Sequence, residues 1–388
     1  MQITVLCKVV DNFGDIGVVY RLAKQLKKIN PQNQINLVTD NLDSFNKICS
    51  TVNPVLGFQT LEGLNVYNWK AADFCHEAFS KNDGELMPVI LECFQCGRPE
   101  WMERILFDEK LERTVHILMI DYLTAEKYAE DFHCLQSLTR SSKVQKVNFM
   151  PGFTEKTGGL IIDDPWKEVP ERNPEGPVLV FTYEKNWKSL ASCLKSWSSE
   201  KGRKVYVAQG RGRQSFIDAW NEVQLSEKSP DTWTKLPDLS YLPRSEKKPE
   251  PLLEELSYIN QEQWDELMKG CSALVIRGEE SMSRACLSGI PFIWHAYPQS
   301  DEYQLVKVRA LLERMRRHFN EEDFKIVEGA WLEINNESVP DTSQNPYDDF
   351  FSAADRLAPA FYDFACSLRK NGDLASNLMT YIEKLAII

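Results

Sequence analysis

The chain is short of positive charge. Its 388 residues carry 45 lysines and arginines against 57 aspartates and glutamates, a formal net charge of −12. That balance argues against nucleic acid as the main partner, because phosphate backbones are bound through basic patches. No apolar run reaches the roughly 20 residues that a membrane-spanning helix needs, so no membrane association is expected. Met1–Leu6 leads straight into a strand, with no charged n-region and no small-residue cleavage site, so no signal peptide is expected. The five histidines show no metal-ligand spacing, and the ten cysteines are scattered. Cys93-Phe94-Gln95-Cys96 is a lone C-x-x-C without a second pair, so no metal site and no cofactor are expected. The thiols read instead as reduced, buried groups of a cytoplasmic protein. A dinucleotide fingerprint, a P-loop and a nucleophile elbow are all missing.

What remains is an α/β pattern in two halves. A hydrophobic share of 43% and a charged share of 26% are ordinary for a globular protein, and the length exceeds one core. Ile3–Val10 reads as one largely apolar strand run, followed by Val19, Leu22, Ala23 and Leu26 at amphipathic-helix spacing. Ile35–Thr39, Val89–Phe94, Val115–Ile120 and Val147–Phe149 read as further strands separated by helical stretches. Such βαβ units predict a mostly parallel sheet. The glycine- and proline-rich stretch Thr154–Gly176 reads as a linker.

A second series starts at Pro177–Tyr183. A helix with Trp187, Leu190, Leu194 and Trp197 on one face follows, then the strand Lys204–Ala208 and a helix through Phe216, Ala219, Trp220 and Val223. Ser226–Glu250 is polar and proline-dotted, a surface loop in this reading. Asn260–Gln263 predicts a helix cap before Trp264–Met268, and Ala273–Ile276 and Ile290–Trp294 read as strands. The expected organisation is a Rossmann-like domain over 1–160, a second over 177–352, and a helical tail over 353–388 that packs back on the first.

Two loops concentrate the chemistry. Asp11-Asn12-Phe13-Gly14-Asp15-Ile16-Gly17 and Arg277-Gly278-Glu279-Glu280-Ser281 each follow a buried strand and open a helix. In open α/β sheets, ligands bind just beyond the carboxyl ends of strands, so the pair suggests a site between two domains. Gly14 lets backbone approach a ligand, while Asp15 also suits a plain helix cap. Arg277, Ser281 and the amides beside it suit a phosphate, and Glu279 and Glu280 suit hydroxyls or a cationic acceptor, although an acidic helix start can simply be solvated. Phe181, Tyr183 and Trp264 are either core or a base-stacking platform. Gln261 has the paired donor and acceptor needed to read a pyrimidine edge.

These segments, with Phe149-Met150-Pro151-Gly152-Phe153, Phe181-Thr182-Tyr183-Glu184 and Pro291-Phe292-Ile293-Trp294-His295-Ala296-Tyr297-Pro298-Gln299, resemble the EarP family of protein-arginine rhamnosyltransferases in order and spacing. The resemblance implies a GT-B fold of two facing Rossmann-like domains. It also implies an inverting transfer of L-rhamnose from dTDP-β-L-rhamnose to one arginine of translation elongation factor P. Asp15 then stands as general base, Glu279 as a second essential carboxylate and Asp11 as an acid near the acceptor. The implied donor set is Asn12, Phe13, Gly14, Asp15, Tyr183, Gln261 and Arg277 to Ser281, with Phe181 and Trp264 around the thymine ring. The chain departs from the family at Glu280, usually aspartate, and at Trp264, usually phenylalanine, each keeping its chemical character.

Arginine is a poor nucleophile: freeing a neutral guanidine at pH 7 costs roughly 7–9 kcal/mol. The residues therefore suggest that Asp15 and Asp11 bind and orient the guanidinium through charge-assisted bonds, with proton transfer to Asp15 late. Two other functions fit a two-domain nucleotide-sugar fold: an epimerase or hydrolase acting on donor alone, and a protein-binding module without turnover.

Overall fold

The computed structural model describes residues 1–10, 14–80, 88–109, 111, 113–223, 252–336 and 345–385. Asp11, Asn12, Phe13 and the polar stretch 226–250 therefore lie outside the described residues.

The first half begins with β1 (Gln2–Cys7), α1 (Gly14–Ile29), β2 (Gln34–Thr39) and α2 (Leu42–Ile48). A hairpin of β3 (Phe58–Leu61) and β4 (Leu64–Asn68) follows, then α3 (Ala72–Ser80), β5 (Val89–Cys93) and α4 (Glu100–Glu103). It closes with β6 (Val115–Ile120), α5 (Tyr128–Phe132), β7 (Gln136–Ser137) and β8 (Val144–Phe149). The strands form one sheet in the order β3-β4-β2-β1-β5-β6-β8-β7, parallel except for the pairs β3–β4 and β7–β8. Because β1 is covered on both sides, every residue from Ile3 to Cys7 is buried, Thr4 included. Ile3, Val5 and Cys7 join the core cluster of α1, while Leu6 joins a second cluster with Ile90, Ile117 and Trp101.

The second half runs β9 (Val178–Val180), α6 (Lys188–Lys201), β10 (Lys204–Val207), α7 (Arg213–Glu222) and β11 (Leu252–Glu255). It continues with α8 (Gln261–Lys269), β12 (Ala273–Arg277), α9 (Glu279–Ser288) and β13 (Phe292–His295). These five strands are all parallel, in the order β11-β10-β9-β12-β13. The expected cap is there: Asn260 accepts from the Gln263 amide at 2.9 Å, and the Gln263 side chain accepts from the Asn260 amide at 3.1 Å.

The C-terminal helices are α10 (Tyr303–Arg316), α11 (Glu321–Ile334), α12 (Pro346–Arg369) and α13 (Leu374–Leu385). α12 stays with the second core through Phe350, Leu357, Phe361 and Phe364, whereas α13 joins the first through Leu374, Leu378 and Ile382. The crossing is tied down where the Asp373 carboxylate accepts from the Ile162 amide at 2.8 Å. The amide of Leu374 donates to Leu160 O at 2.7 Å beside it.

Several strand ends differ from the sequence reading: β9 ends at Val180 rather than Tyr183, and β8 begins at Val144 rather than Val147. β1 stops at Cys7 rather than Val10, and the Val9 amide turns to donate to the Asp40 carboxylate at 2.8 Å. β5 stops at Cys93 because Phe94 and Gln95 take left-handed backbone, φ 57° and 52°. The β3–β4 hairpin has no counterpart in the sequence reading; its turn, Glu62-Gly63, supplies the two positive φ values that such a turn needs with a glutamate in place of the usual asparagine or aspartate.

Candidate active site between the two domains

Strand order reverses at β1/β5 in the first sheet and at β9/β12 in the second. Crevices outside the carboxyl ends of strands at such reversals are where open α/β sheets hold ligands. Here the two crevices face one another across a cavity of about 480 Å3, lined by Asp15 after β1, Phe94 after β5, Tyr183 after β9 and Glu279 after β12.

Asp15 lies in the first turn of α1 and is 4% exposed. One carboxylate oxygen accepts from the Val10 amide at 2.8 Å, and the other from the Tyr122 hydroxyl at 3.3 Å. Tyr122 is fixed by stacking on Phe94, with ring centroids 4.5 Å apart and planes 16° from parallel. Burial, then the charges of Asp15 and Glu279, push the Tyr122 hydroxyl up, so it stays a donor. Asp121 lines the same cavity and accepts from the Gln95 amide group at 3.2 Å. The left-handed backbone at Phe94 and Gln95 stores strain of about 1–3 kcal/mol per residue, and such strain concentrates at functional sites.

Across the cavity, Gly278 has φ 72°, which turns the chain from β12 into α9. Glu279 opens that helix, and Lys307 donates to its carboxylate at 3.1 Å. Enclosure raises the Glu279 pKa; Lys307 opposes the rise, while Asp15 and Asp121 add to it. Three carboxylates from two domains thus share one cavity.

Glu280 borders the cavity too, but its carboxylate is committed to the domain interface. It accepts from Arg21 Nε at 2.7 Å, and Arg284 Nε lies at 3.7 Å. Arg21, on α1, also binds Asp265 on α8 at 2.8 Å and Asp163 in the linker. Arg284 binds Asp163 at 3.0 Å. Burial alone would raise Asp163, but Arg284 and Arg21 outweigh it and hold the carboxyl below its ordinary range. At Asp265 burial prevails over Arg21 and the pKa is raised.

Of the predicted residues, Gly14, Asp15, Tyr183, Gly278, Glu279 and Glu280 line the cavity. Phe181, Gln261, Trp264, Arg277 and Ser281 do not, but four of them cluster nearby or bridge the domains. Phe181 and Trp264 meet edge to face, centroids 5.0 Å apart. The Arg277 guanidinium stacks on Phe181 at 4.4 Å and on Tyr183 at 4.6 Å, and its Nε is buried without a hydrogen-bond partner. Gln261 reaches across the interface to donate to Gly17 O at 2.9 Å, leaving its own buried Oε1 unsatisfied. Ser281 is buried in α9. His295 accepts from the Tyr183 amide at 3.3 Å. Burial, then Lys185 and Arg277, push it down to about 3, so it is neutral.

Reading the sequence missed Asp121, Tyr122, Lys307, Arg21 and Arg211. Asp121-Tyr122 carried a usable signal, an acid directly after the predicted strand Val115–Ile120. Lys307 and Arg21 carried none, since each is one cation on an amphipathic helix. Among the described residues no group of three histidine, cysteine, aspartate or glutamate side chains is placed to hold a metal ion, and no helix is long and apolar enough to cross a membrane.

Comparison with known proteins agrees with this architecture. The family model EarP, Elongation-Factor P (EF-P) rhamnosyltransferase, matches residues 3–383. A protein-arginine rhamnosyltransferase of Shewanella oneidensis is 30% identical over 336 residues, 79% of each chain. One of Pseudomonas aeruginosa is 28% identical over 337 residues, 80% of each chain. Among solved structures, one described as the structural basis for EarP-mediated arginine glycosylation of translation elongation factor EF-P superimposes with a TM-score of 0.57 at 17% identity, covering 98% of both chains. A spinosyn rhamnosyltransferase, SpnG, reaches 0.50 at 10% identity over 98% of this chain and 100% of its own. The fold is GT-B. With a family model spanning nearly its whole length, the chain is a glycosyltransferase and belongs to the EarP family, the elongation-factor P rhamnosyltransferases.

Proposed function

We propose that this enzyme transfers L-rhamnose from dTDP-β-L-rhamnose, with inversion, to one arginine side chain of translation elongation factor P. The observation that carries the reading is the convergence of Asp15 and Glu279, from opposite domains, on one cavity. A cationic side chain entering it meets carboxylates on both walls, and an acidic protein draws such a side chain in.

Asp15 is oriented by the Val10 amide and the Tyr122 hydroxyl before any substrate arrives. Together with Asp11 it binds the guanidinium, fixes its plane and localises its electrons. The guanidine nitrogen attacks C1 of the sugar, the bond from C1 to the phosphate oxygen breaks, and the nitrogen, now acidic, gives its proton to Asp15. Glu279 orients the sugar and supports the positive charge that develops on it. The nucleoside diphosphate leaves with low basicity, so cations and amides suffice to receive it. Arg277, Tyr183, Ser281 and the amides from Gly278 to Glu280 form that receiving side, and Asn12, Phe13 and Gly14 belong to the donor-binding set that the family resemblance implies. Phe181 and Trp264 hold the thymine ring, and the unsatisfied Gln261 Oε1 is an acceptor suited to a pyrimidine ring N–H. The ten free thiols suit the reducing cytoplasm, where both substrates would be met.

Intact-mass spectrometry of elongation factor P, incubated with enzyme and dTDP-β-L-rhamnose, tests the reading. The expected result is a gain of one deoxyhexose on a single arginine, abolished by Asp15→Ala and by Glu279→Ala. Donor consumed without that gain would establish an epimerase or hydrolase instead, and a complex with donor untouched would establish a binding module. Near-normal turnover by Asp15→Asn would remove the late-base role.

A further inference from the structure

The proposed reaction releases a diphosphate into a cavity lined by four carboxylates, so an uncommitted cation in addition to Arg277 is called for on the donor side. The inference below rests on that reading. Three described cations line the cavity: Arg211, Arg284 and Lys307. Arg284 is 1% exposed and spent on Asp163 at 3.0 Å and on Ile161 O at 2.7 Å. Lys307 is spent on Glu279 at 3.1 Å. Arg211 makes no ion pair or hydrogen bond among the described residues and is exposed.

Its placement is built rather than incidental. Arg211 sits between Gly210 and Gly212 on the loop from β10 to α7. That loop lies flat on the strand-end segment Phe181–Tyr183, and the Gly212 amide donates to Thr182 O at 3.2 Å. A Cβ on Gly212 would stand 2.4 Å from Tyr183 O and 2.5 Å from Thr182 O, and one on Gly210 would stand 2.9 Å from the Phe181 ring. Only glycines allow so close an approach. Arg213, the next arginine, is tied to Gln209 and Glu255, which pins the loop from its other side. The backbone is thus clamped against the β9 end of the crevice, while the guanidinium between the clamps has no partner among the described residues. α7 starts at the same point, and its N-cap, Gly212, contributes no side-chain bond to the first-turn amides.

We propose that Arg211 binds the diphosphate of the nucleotide sugar and stays on it as the leaving group departs. A guanidinium fork matches two phosphate oxygens, and the α7 amides add to the same positive field. No residue of this loop stands out in the sequence reading, although a strand followed by Gly-Arg-Gly is a legible signal.

Calorimetric titration of wild type, Arg211→Gln and Arg211→Lys with dTDP and with thymidine tests the assignment. The expected result is that Arg211→Gln weakens dTDP binding about 10- to 100-fold, the size of a charged hydrogen-bonded contact, with thymidine binding unchanged. Arg211→Lys should recover part of the loss, because it keeps the charge but not the fork. In turnover, Arg211→Gln should raise KM for the donor and lower kcat while leaving KM for the acceptor protein unchanged. Equal dTDP affinity in wild type and Arg211→Gln, or equal losses for dTDP and thymidine, would overturn the assignment while leaving the proposed reaction intact. A wild type that binds no dTDP would overturn the donor reading, and the assignment with it.

Discussion

Replacing Arg21 by methionine removes the one cation among the described residues that Asp163, Asp265 and Glu280 share. Arg21 binds Glu280 at 2.7 Å and Asp265 at 2.8 and 3.2 Å, with its side chain 5% exposed. Asp163 and Glu280 keep Arg284 within 3.0 and 3.7 Å. Asp265, whose side chain is 2% exposed, keeps no ion pair among the described residues. Breaking a buried pair in this way costs about 3–5 kcal/mol, because a charge is left without its partner out of water. The loss should therefore sit mainly at Asp265, and Arg21→Met combined with Asp265→Leu should be more stable than Arg21→Met alone. The sign of the pH dependence follows. Asp265 already has a folded pKa above its unfolded value near 3.9, and losing Arg21 raises it further. A raised folded pKa contributes stability that is present below the unfolded value and is lost as pH rises through the folded one. The penalty of Arg21→Met should thus be full at pH 7 and shrink as acid protonates Asp265 toward pH 4. Urea unfolding of the three proteins at pH 7 and pH 5 measures all of this. A single-variant cost under about 1 kcal/mol, a double variant less stable than the single, or a penalty that grows on acidification would refute the reasoning.

Three further outcomes follow from the site. Tyr122→Phe removes a hydroxyl that donates to Asp15 at 3.3 Å, and kcat should fall roughly tenfold with the donor KM unchanged, since a bond to a charged group contributes about 1.5–3 kcal/mol and this one is long. Glu279 is raised above the usual glutamate range, and Lys307 limits the rise. If ionised Glu279 is required, the acid limb of the pH–rate profile lies above about 4.3, and Lys307→Met should move it higher still; a shift to lower pH would contradict the assignment. Gly278→Ala forces a side chain onto φ 72°, ψ 167°, a region left almost entirely to glycine, costing about 1–3 kcal/mol; thermal melting should report that loss, and turnover should fall further than melting predicts because Glu279 is displaced.

Much of the framework was legible because it is local. A parallel strand buried on both faces writes a continuous apolar run, which is why Ile3 to Cys7 and Ala273 to Ile276 could be read directly. The exact strand ends were less legible. Lys8 is the one charged residue that interrupts the apolar pattern after β1, yet Val9 and Val10 resume it past the point where Val9 turns to Asp40. At β5 nothing in Phe94-Gln95 announces a left-handed backbone, since neither residue favours it.

The site itself divides along the same line. Glu279 and Glu280 are adjacent, and reading them along the chain gives two carboxylates of one kind. On α9 successive side chains point about 100° apart, so one lies toward Lys307 and the cavity while the other lies toward Arg21 on α1. Which is which depends on partners 28 residues away for one and 259 for the other. The same holds for Asp15, whose Tyr122 lies 107 residues on. Arg21 joins these two halves of the site physically. It stands on the helix that begins with Asp15, and it grips the residue beside Glu279. The separation of the two carboxylates is therefore set by a buried ion cluster whose five members come from α1, the linker, α8 and α9. A periodicity or a short motif is a property of one segment, and a distance across a cleft is not.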